Sequence, residues 1–577
     1  FADEGHISPE FTIALQGTLD DLFALNTPLK LRNKELNEVV LRSISSLNVA
    51  DMLYQLLLRK AVTDPPVVDL VQRLGPRFEQ IFEDLPNSET YNLPTAFTRK
   101  GFNTIYLDGD MPTLNEYIED YELLVGELKA EEKNSLVRRV GELYTNDYIS
   151  HWTNFVSSLT LRKPSNWEEA HILVKALSDE TANPVSMLLV EIREATHIPD
   201  TLETTGAGDE KAGDDEVSEQ KTDKIEALSE QKKFKNSQQS QSARKIRAAF
   251  SDYLSTTEVD GQNLTQFDIL LQYTTEVKLW MDAAVSAPNG PEEFIFDQYK
   301  SASTGTPLAI LNDFAQRSRI QIINNYGTSL SAKLDSSAMA FVKSHINDQW
   351  RKLIYRPYSD ALSTTFPFVL TSPVDLSLLD FTALFGPESA MANFRTLYLE
   401  KFEEKDGRLS EKSTFLSRGK IGPSSDAIEM FGYAREITVG MFTDGKANIN
   451  FRLRVGYMGA ELSRAVIKSG ITILNYAHGP VLWTDQTWPM VGLQDSDMEL
   501  SVYKRSYPML ERSFSGAWSW FRLAQFGSSS LNPSLGISET KISAGENIVS
   551  LQFDAPAKFS PFDPAFFKRF QLRESLF

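Results

Sequence analysis

Within fifteen residues, Asn475–Pro489 (NYAHGPVLWTDQTWP), the chain places His478, Asp485, Trp483 and Trp488. A histidine near a carboxylate is the material of general acid–base catalysis, and tryptophans beside it are the material of a ligand pocket. A base also needs a nucleophile or a substrate proton within reach, and His478 has no nucleophile signature beside it. The other histidines are His6, His151, His171, His197 and His345. None has a second histidine three or four residues away, the spacing that lets one helix face hold a metal. Asp147 and His151 stand at i, i+4 and would meet on a helix, where a surface pair on the helix flank is the preferred reading over a catalytic one. DLPNSE (84–89) and YLDGD (106–110) are acidic but lack calcium-loop spacing, so they are read as turns. No phosphate loop, dinucleotide fingerprint, HExxH or GxSxG occurs. The absence of cysteine removes disulfides, thiolate metal sites and cysteine nucleophiles together. Abundant carboxylates make any glycosidase-like pair uninformative. No catalytic, cofactor-binding or metal-binding residue is expected, and the chain is read as not an enzyme.

The elements that must position these residues fall into two kinds. From Gly141 to Leu159, the residues Tyr144, Tyr148, Trp152, Phe155, Val156 and Leu159 recur at three- and four-residue spacing, with Asn146, Asp147, Ser150 and Asn154 largely opposite. That predicts an amphipathic helix with a wide aromatic face. Lys163–Pro164 ends it, and Ser165 is a candidate N-cap for a helix starting near Trp167. Between Pro199 and Lys233 no aromatic residue occurs. That stretch cannot bury enough to offset its ordering entropy, so it is read as a mobile insertion. Helical pattern resumes near Ala243 and runs to about Asp406, with Phe381, Leu384 and Phe385, then Phe394, Leu397, Tyr398 and Phe402, on apolar stripes. After Asp444–Gly445 the period changes to two. Ile449, Phe451, Leu453, Val455 and Tyr457 alternate with polar residues and glycine, predicting a half-buried strand. ITILNY (471–476), MELSVYK (498–504) and IVSLQFD (548–554) predict three more strands, interrupted by a helix over Phe514–Phe526.

The fold class expected is therefore α+β and multidomain. A mainly helical N-terminal two-thirds precedes a mostly antiparallel, β-sandwich-like C-terminal domain. The boundaries expected are 1–199 (helical), 200–242 (flexible acidic insertion), 243–434 (second helical region) and 435–577 (β-rich). The 577 residues are enough for about four domains. With 58 basic and 78 acidic side chains the net charge is -20. This disfavours a nucleic-acid partner, whose phosphates demand a basic face, and an anionic membrane surface as main ligand. The chain opens FADEGH, without a signal-like stretch, and no run approaches the roughly 18 apolar residues of a membrane span. It is expected to be a processed or excised part of a longer protein, with any anchor before Phe1.

Several segments, in order, resemble the IcmF/TssM family of type VI secretion systems. They are LPTAFTRKGF (93–102); Leu143, Tyr144, Asp147, Tyr148, Trp152 and Leu159; and Leu177, Ser178, Pro184, Leu188, Leu189, Glu194 and Thr196. Further on come Trp350, Tyr358, Phe366–Pro367–Phe368, Asp375, Phe381, Phe385–Gly386–Pro387, Phe394, Tyr398 and Leu399, then AREITVGMF (434–442). Tyr476, His478, Gly479, Pro480, Trp488 and Pro489 follow, then Gly516, Trp518 and Leu523, then Pro561 and Phe562. The closing FQLRESLF departs from the family's usual ending, and the motif order begins midway through the family.

The resemblance implies the periplasmic portion of an inner-membrane-anchored subunit of a Gram-negative bacterium. It implies a non-enzymatic scaffold whose C-terminal sheet domain binds a TssJ-like outer-membrane lipoprotein. A TssL/DotU-like inner-membrane protein would associate through the anchored part, and copies would form a homo-oligomer. The opening stretch is then read as strand, turn and sheet edge, with Tyr476 ending a strand. Trp483 and Trp488 either pack under the sheet or join Tyr476 in contacting a partner. The rival reading is a secreted hydrolase or toxin with a helical body and a β binding module, which would need a pocket of convergent polar groups. A solenoid is disfavoured by the missing repeat.

Overall fold

The structure, a computed structural model, describes residues 48–60, 67–74, 76–83, 92–107, 111–162, 164–199, 237–254, 265–301, 305–417, 419–490, 498–532, 535–555 and 560–577. The acidic turns at 84–89 and 108–110, most of the insertion (200–236) and His6 lie outside the described residues. Helices dominate up to about residue 441 and antiparallel sheets follow, the α+β class expected. The chain divides into two compact units. The first gathers Phe1–Arg162, Asp179–Ile269 and Ser318–Asn325; the second gathers Lys163–Ser178, Leu270–Arg317 and Tyr326–Phe577.

In the first unit, α1 (Arg99–Ile105) begins at Thr98, whose hydroxyl oxygen accepts a hydrogen bond from Gly101 N at 3.1 Å. The long α2 (Ala130–Ser158) buries Tyr144, Tyr148, Trp152, Phe155 and Val156 on one face, as its spacing predicts. Buried hydroxyl and indole groups are costly unless paired, and each of these finds a backbone carbonyl. Tyr144 Oη donates to Ala96 O (2.6 Å), Tyr148 Oη to Ala195 O (2.8 Å) and Trp152 Nε1 to Phe97 O (3.0 Å). Burial pushes both phenols well above the ordinary tyrosine range, so they stay protonated donors. α3 (Pro184–Thr196) starts with Asn183 capping Val185 N and Ser186 N and Pro184 at its first position.

Gly101 packs where α1 meets the 3-10 turn Thr95–Phe97, and a Cβ there would overlap Thr95 O and the Ala96 backbone. Gly101→Ala is expected to destabilise the first unit by about 1–3 kcal/mol, the usual penalty for overpacking. Urea unfolding followed by circular dichroism checks this, and an unchanged midpoint would refute it.

In the second unit, the helix Trp167–Leu177 is capped by Asn166, whose side chain accepts from Glu169 N; Ser165, the residue expected to cap it, instead donates its backbone N–H to Glu169 Oε2. α4 (Gln321–Trp350) runs 30 residues into a π turn, Arg351–Tyr355. α5 (Leu378–Phe385) buries Phe381, Leu384 and Phe385. The next predicted stripe is broken. Phe394 and Phe402 are buried but Leu397 is 54% exposed, because Arg395–Leu399 forms a second π turn that rotates the chain away from the 3.6-residue period. α6 (Ser425–Met441) leads into the sheets.

Nine strands build two antiparallel sheets among the described residues. They are β1 (Ile449–Met458), β2 (Arg464–Ser469), β3 (Thr472–Tyr476), β4 (Thr484–Trp488), β5 (Met498–Lys504), β6 (Tyr507–Phe514), β7 (Ser528–Asn532), β8 (Ile537–Ala544) and β9 (Asn547–Asp554). The five-stranded sheet has the order β4-β1-β9-β8-β7 and the four-stranded sheet β6-β5-β2-β3. On β1, Ile449, Phe451, Leu453 and Val455 face inward as the alternation predicts. Tyr457 does not. β1 pairs with β9 through a register shift that sets Leu551 opposite Val455 and Ser550 opposite Tyr457, leaving Gly456 as the extra residue of a bulge. The bulge reverses the alternation, so Met458 is buried and Tyr457 exposed.

The helix predicted over Phe514–Phe526 shortens to α7 (Ser519–Ala524). Phe514 belongs to β6, and Gly516 takes φ 89°, a left-handed turn that only glycine adopts freely. Beyond β9 the chain returns to the helical part of its unit. Trp350 Nε1 donates to Arg573 O (2.8 Å), Leu576 N to Asn347 Oδ1 (2.8 Å) and Ser424 N to Leu576 O (2.7 Å).

Candidate docking surface

The described histidines of the helices sit in separate local contacts. His151 stacks on Phe97 at 4.2 Å, and Asp147, its expected partner, accepts from Tyr54 Oη instead (2.6 Å). His171 Nε2 lies 2.6 Å from Asp282 Oδ1, a carboxylate that Lys278 also holds. Among the described residues no group of three or more His, Cys, Asp or Glu side chains could hold a metal ion.

His345 is buried against Phe296 (4.9 Å) and Tyr398 (5.9 Å). Burial pushes its imidazole below the ordinary value, against the opposing pull of Glu293, Asp297, Asp348 and Glu292. The folded state therefore takes up this proton less readily than the unfolded chain. The stability tied to neutral His345 is present above the unfolded value of about 6.5 and is lost as pH falls through the lower folded value. The urea midpoint of the second unit should drop between about pH 7 and about pH 5, and His345→Phe should flatten that slope. An equal slope in wild type and His345→Phe would refute the assignment.

The opening stretch joins the two sheets. β3 ends at Tyr476 and lies at one edge of the four-stranded sheet; β4 begins at Thr484 and lies at one edge of the five-stranded sheet. The link between them, residues 477–483, thus runs from sheet edge to sheet edge. His478 adopts φ 57°, and its Nε2 lies 2.6 Å from Leu462 O. A carbonyl only accepts, so Nε2 carries the proton and the ring pins the turn.

The two tryptophans part company. Trp483 is half-buried on the outer face of the five-stranded sheet, over the guanidinium groups of Arg454 (4.2 Å) and Arg452 (5.3 Å). Those arginines are held by Gln552 and Asp554 across the strand. Trp488 is not on any surface. It is fully buried, donates Nε1 to Ala517 O (2.6 Å) and packs on Trp518 at 4.9 Å. Of the two roles open to it, it takes packing under the sheet.

Along β3 and the link, Ile471 (91%), Ile473 (62%), Val481 (40%) and Leu482 (72%) are exposed, with Tyr476 and Trp483 half-buried. Sequence reasoning missed these four aliphatic residues. The Gly470 turn detaches Ile471 from its strand, and Val481 and Leu482 belong to no periodic element. Among the described residues the outer backbone edges of β3 and β4 have no strand partner. Unpaired edges accept a further strand, and apolar strips of this kind mark protein contacts.

The chain matches two family descriptions. "IcmF-related: Intracellular multiplication and human macrophage-killing" covers residues 5–197, and "Type VI secretion protein IcmF C2-like domain" covers residues 451–556. It is 23% identical over 587 aligned residues to the type VI secretion system component TssM1 of Pseudomonas aeruginosa, an alignment covering 99% of this chain and 52% of that protein. The chain thus spans about half the length of this curated relative. Its fold resembles a chain of a type VI secretion system membrane core complex (TM-score 0.67, 17% identity, 92% of this chain and 99% of that one). It also resembles a chain of a type VI membrane complex (TM-score 0.64, 15% identity, 91% and 93%).

Proposed function

The chain belongs to the IcmF/TssM family, and from that premise we propose that it is a non-enzymatic structural scaffold of a type VI secretion membrane complex. In this reading it is the periplasmic portion of an inner-membrane-anchored protein. The helical regions give length and 435–577 carries the docking sheets. Of the insertion expected over 200–242, residues 237–242 instead open the helix Gln238–Ala249, with Ser240 and Ser242 buried. An outer-membrane lipoprotein of the TssJ kind binds the strip around residues 471–483, with Tyr476 and Trp483 among the contacts. A TssL/DotU-like protein binds through the membrane-anchored part, and copies of the chain associate. Among the described residues no helix is long and apolar enough to cross a membrane.

The observation that carries the reading is the set of exposed apolar residues on β3 and the link, next to two strand edges that have no strand partner among the described residues. Nothing in its chemistry would turn over a substrate, and its geometry suits strand addition with side-chain anchors. The test is calorimetric titration of the full chain with the soluble part of the lipoprotein from the same source. Leu482→Asp is expected to weaken binding by about 2 kcal/mol, roughly 30-fold, as expected for a central apolar anchor. Trp483→Ala should weaken it in the same direction. Wild-type affinity in both variants would move the interface elsewhere, and no binding by the wild type would overturn the lipoprotein assignment.

A further inference from the structure

We propose that two adjoining clefts along α6 form a binding site for an amphipathic monoanion, an acyl carboxylate in chemical class. The apolar chain would lie in the larger cleft and the carboxylate on Arg435. This goes beyond the docking role and does not depend on it.

The larger cleft has a volume of about 520 Å³ and is lined by Leu409, Ile428, Phe431 and Val439. The second has a volume of about 350 Å³ beside Leu384, Phe385 and Met391. Gly407, Phe431, Arg435 and Val439 line both, so the two spaces meet along one helix face. Volumes of this order suit a small ligand, and mostly apolar walls with few polar groups are the usual composition of such sites. Gly432 helps to open the larger cleft, since a Cβ built there meets nothing within 4 Å.

The charges in the walls select the sign of the ligand. Arg395 is paired with Glu403 (2.6 Å), Arg408 with Asp406 (3.3 Å) and Glu436 with Arg569 (3.6 Å). Arg435 has no carboxylate partner among the described residues; its one hydrogen bond there goes from Nη1 to Asp406 O at 2.8 Å. Its remaining N–H groups are left for an acceptor at the seam of the two clefts. Arg395 Nε, in the wall of the second cleft, is buried without a hydrogen-bond partner. One unpaired guanidinium between apolar spaces is complementary to one carboxylate on an apolar chain. The chain's net charge of -20 opposes any anion at long range. At physiological salt that field is screened beyond roughly 8 Å, so the local arginine decides.

The test uses the full chain and the fluorescent fatty acid 11-(dansylamino)undecanoate, with decanoate and decanol as competitors, at physiological ionic strength. Expected are a saturable, one-site fluorescence rise and displacement by decanoate in preference to decanol. Arg435→Gln should weaken binding about tenfold or more, the loss of a charge-assisted hydrogen bond. Gly432→Leu, which fills the larger cleft from an exposed helix position, should abolish it. Both residues are exposed, so thermal melts should show both variants folded. No saturable binding, equal affinity in both variants, or displacement by decanol as strong as by decanoate would each overturn the proposal.

Discussion

Trp518→Ala is expected to lower the unfolding free energy of the sheet-bearing unit by about 3–5 kcal/mol, the range for deleting a fully buried aromatic side chain. Trp518 is fully buried and sits at the centre of a ring cluster. It contacts Trp488 (4.9 Å), Phe381 (5.1 Å), Phe521 (5.3 Å) and Phe567 (5.7 Å). Large flat partners cannot collapse into the vacated space, so most of the cavity term remains. The indole Nε1 also donates to Leu376 O at 2.7 Å, and removing it strands a buried carbonyl. Trp518→Phe keeps most of the apolar area but loses the donor, and should cost about 1–3 kcal/mol. Urea unfolding followed by circular dichroism separates the two. A loss below about 1 kcal/mol for the alanine variant would mean that the ring cluster does not hold the unit together.

Asp375→Ala should be the next most damaging change, at about 2–4 kcal/mol, because it strands Arg522. Arg522 reaches Asp375 Oδ1 through Nε (3.0 Å) and also through Nη2, while Nη1 donates to Ser372 O (3.1 Å). Its guanidinium lies 4.2 Å over the Phe366 ring. The two side chains are only 21% and 23% exposed, so water screens the charge left behind incompletely. That exposure places the cost somewhat below that of a wholly buried pair. Asp375→Ala with Arg522→Met should be less harmful than the sum of the single changes. Strict additivity in chemical denaturation would show that the two residues act separately.

How much of this was legible in the sequence depends on what each residue's position required. The aromatic stripe of α2 was readable because Tyr144, Tyr148 and Trp152 repeat at the helical period on their own. β1 was readable up to Val455 and no further, because the bulge at Gly456 is set by pairing with β9, a strand ninety residues away in the chain. β8 alternates, but only Ile542 and Ala544 of its inward residues are apolar; Ser538 and Thr540 are turned inward too. The two polar residues are tolerated because Ser538 shares a hydrogen bond with Ser560 and Thr540 donates to Ala524 O. A hydrophobicity pattern cannot report a polar face buried by hydrogen bonding. β6 is exposed along most of its length and so carries no burial signal at all. Of the candidate surface, the strand end at Tyr476 and the turn after it were readable. The aliphatic strip was not, since exposure of Ile471 and Leu482 is decided by where the two sheets end. The α6 clefts were not readable either, because Arg395, Gly407 and Arg435 come together only through tertiary packing.

β1 starts at Ile449 and β9 ends at Asp554, and the two strands are antiparallel neighbours with Asp554 opposite Arg452. The chain therefore enters and leaves the pair of sheets at the same end, before the last residues go back to Trp350 and Asn347. Topologically the sheets are a cassette spliced into the helical body by two adjacent strands. A transplant of residues 449–555 from a relative would need only two closely spaced backbone junctions. For partner choice to change without loss of stability, it would have to keep Trp518 and Arg522, which pack on Phe381, Phe567 and Asp375 of the body.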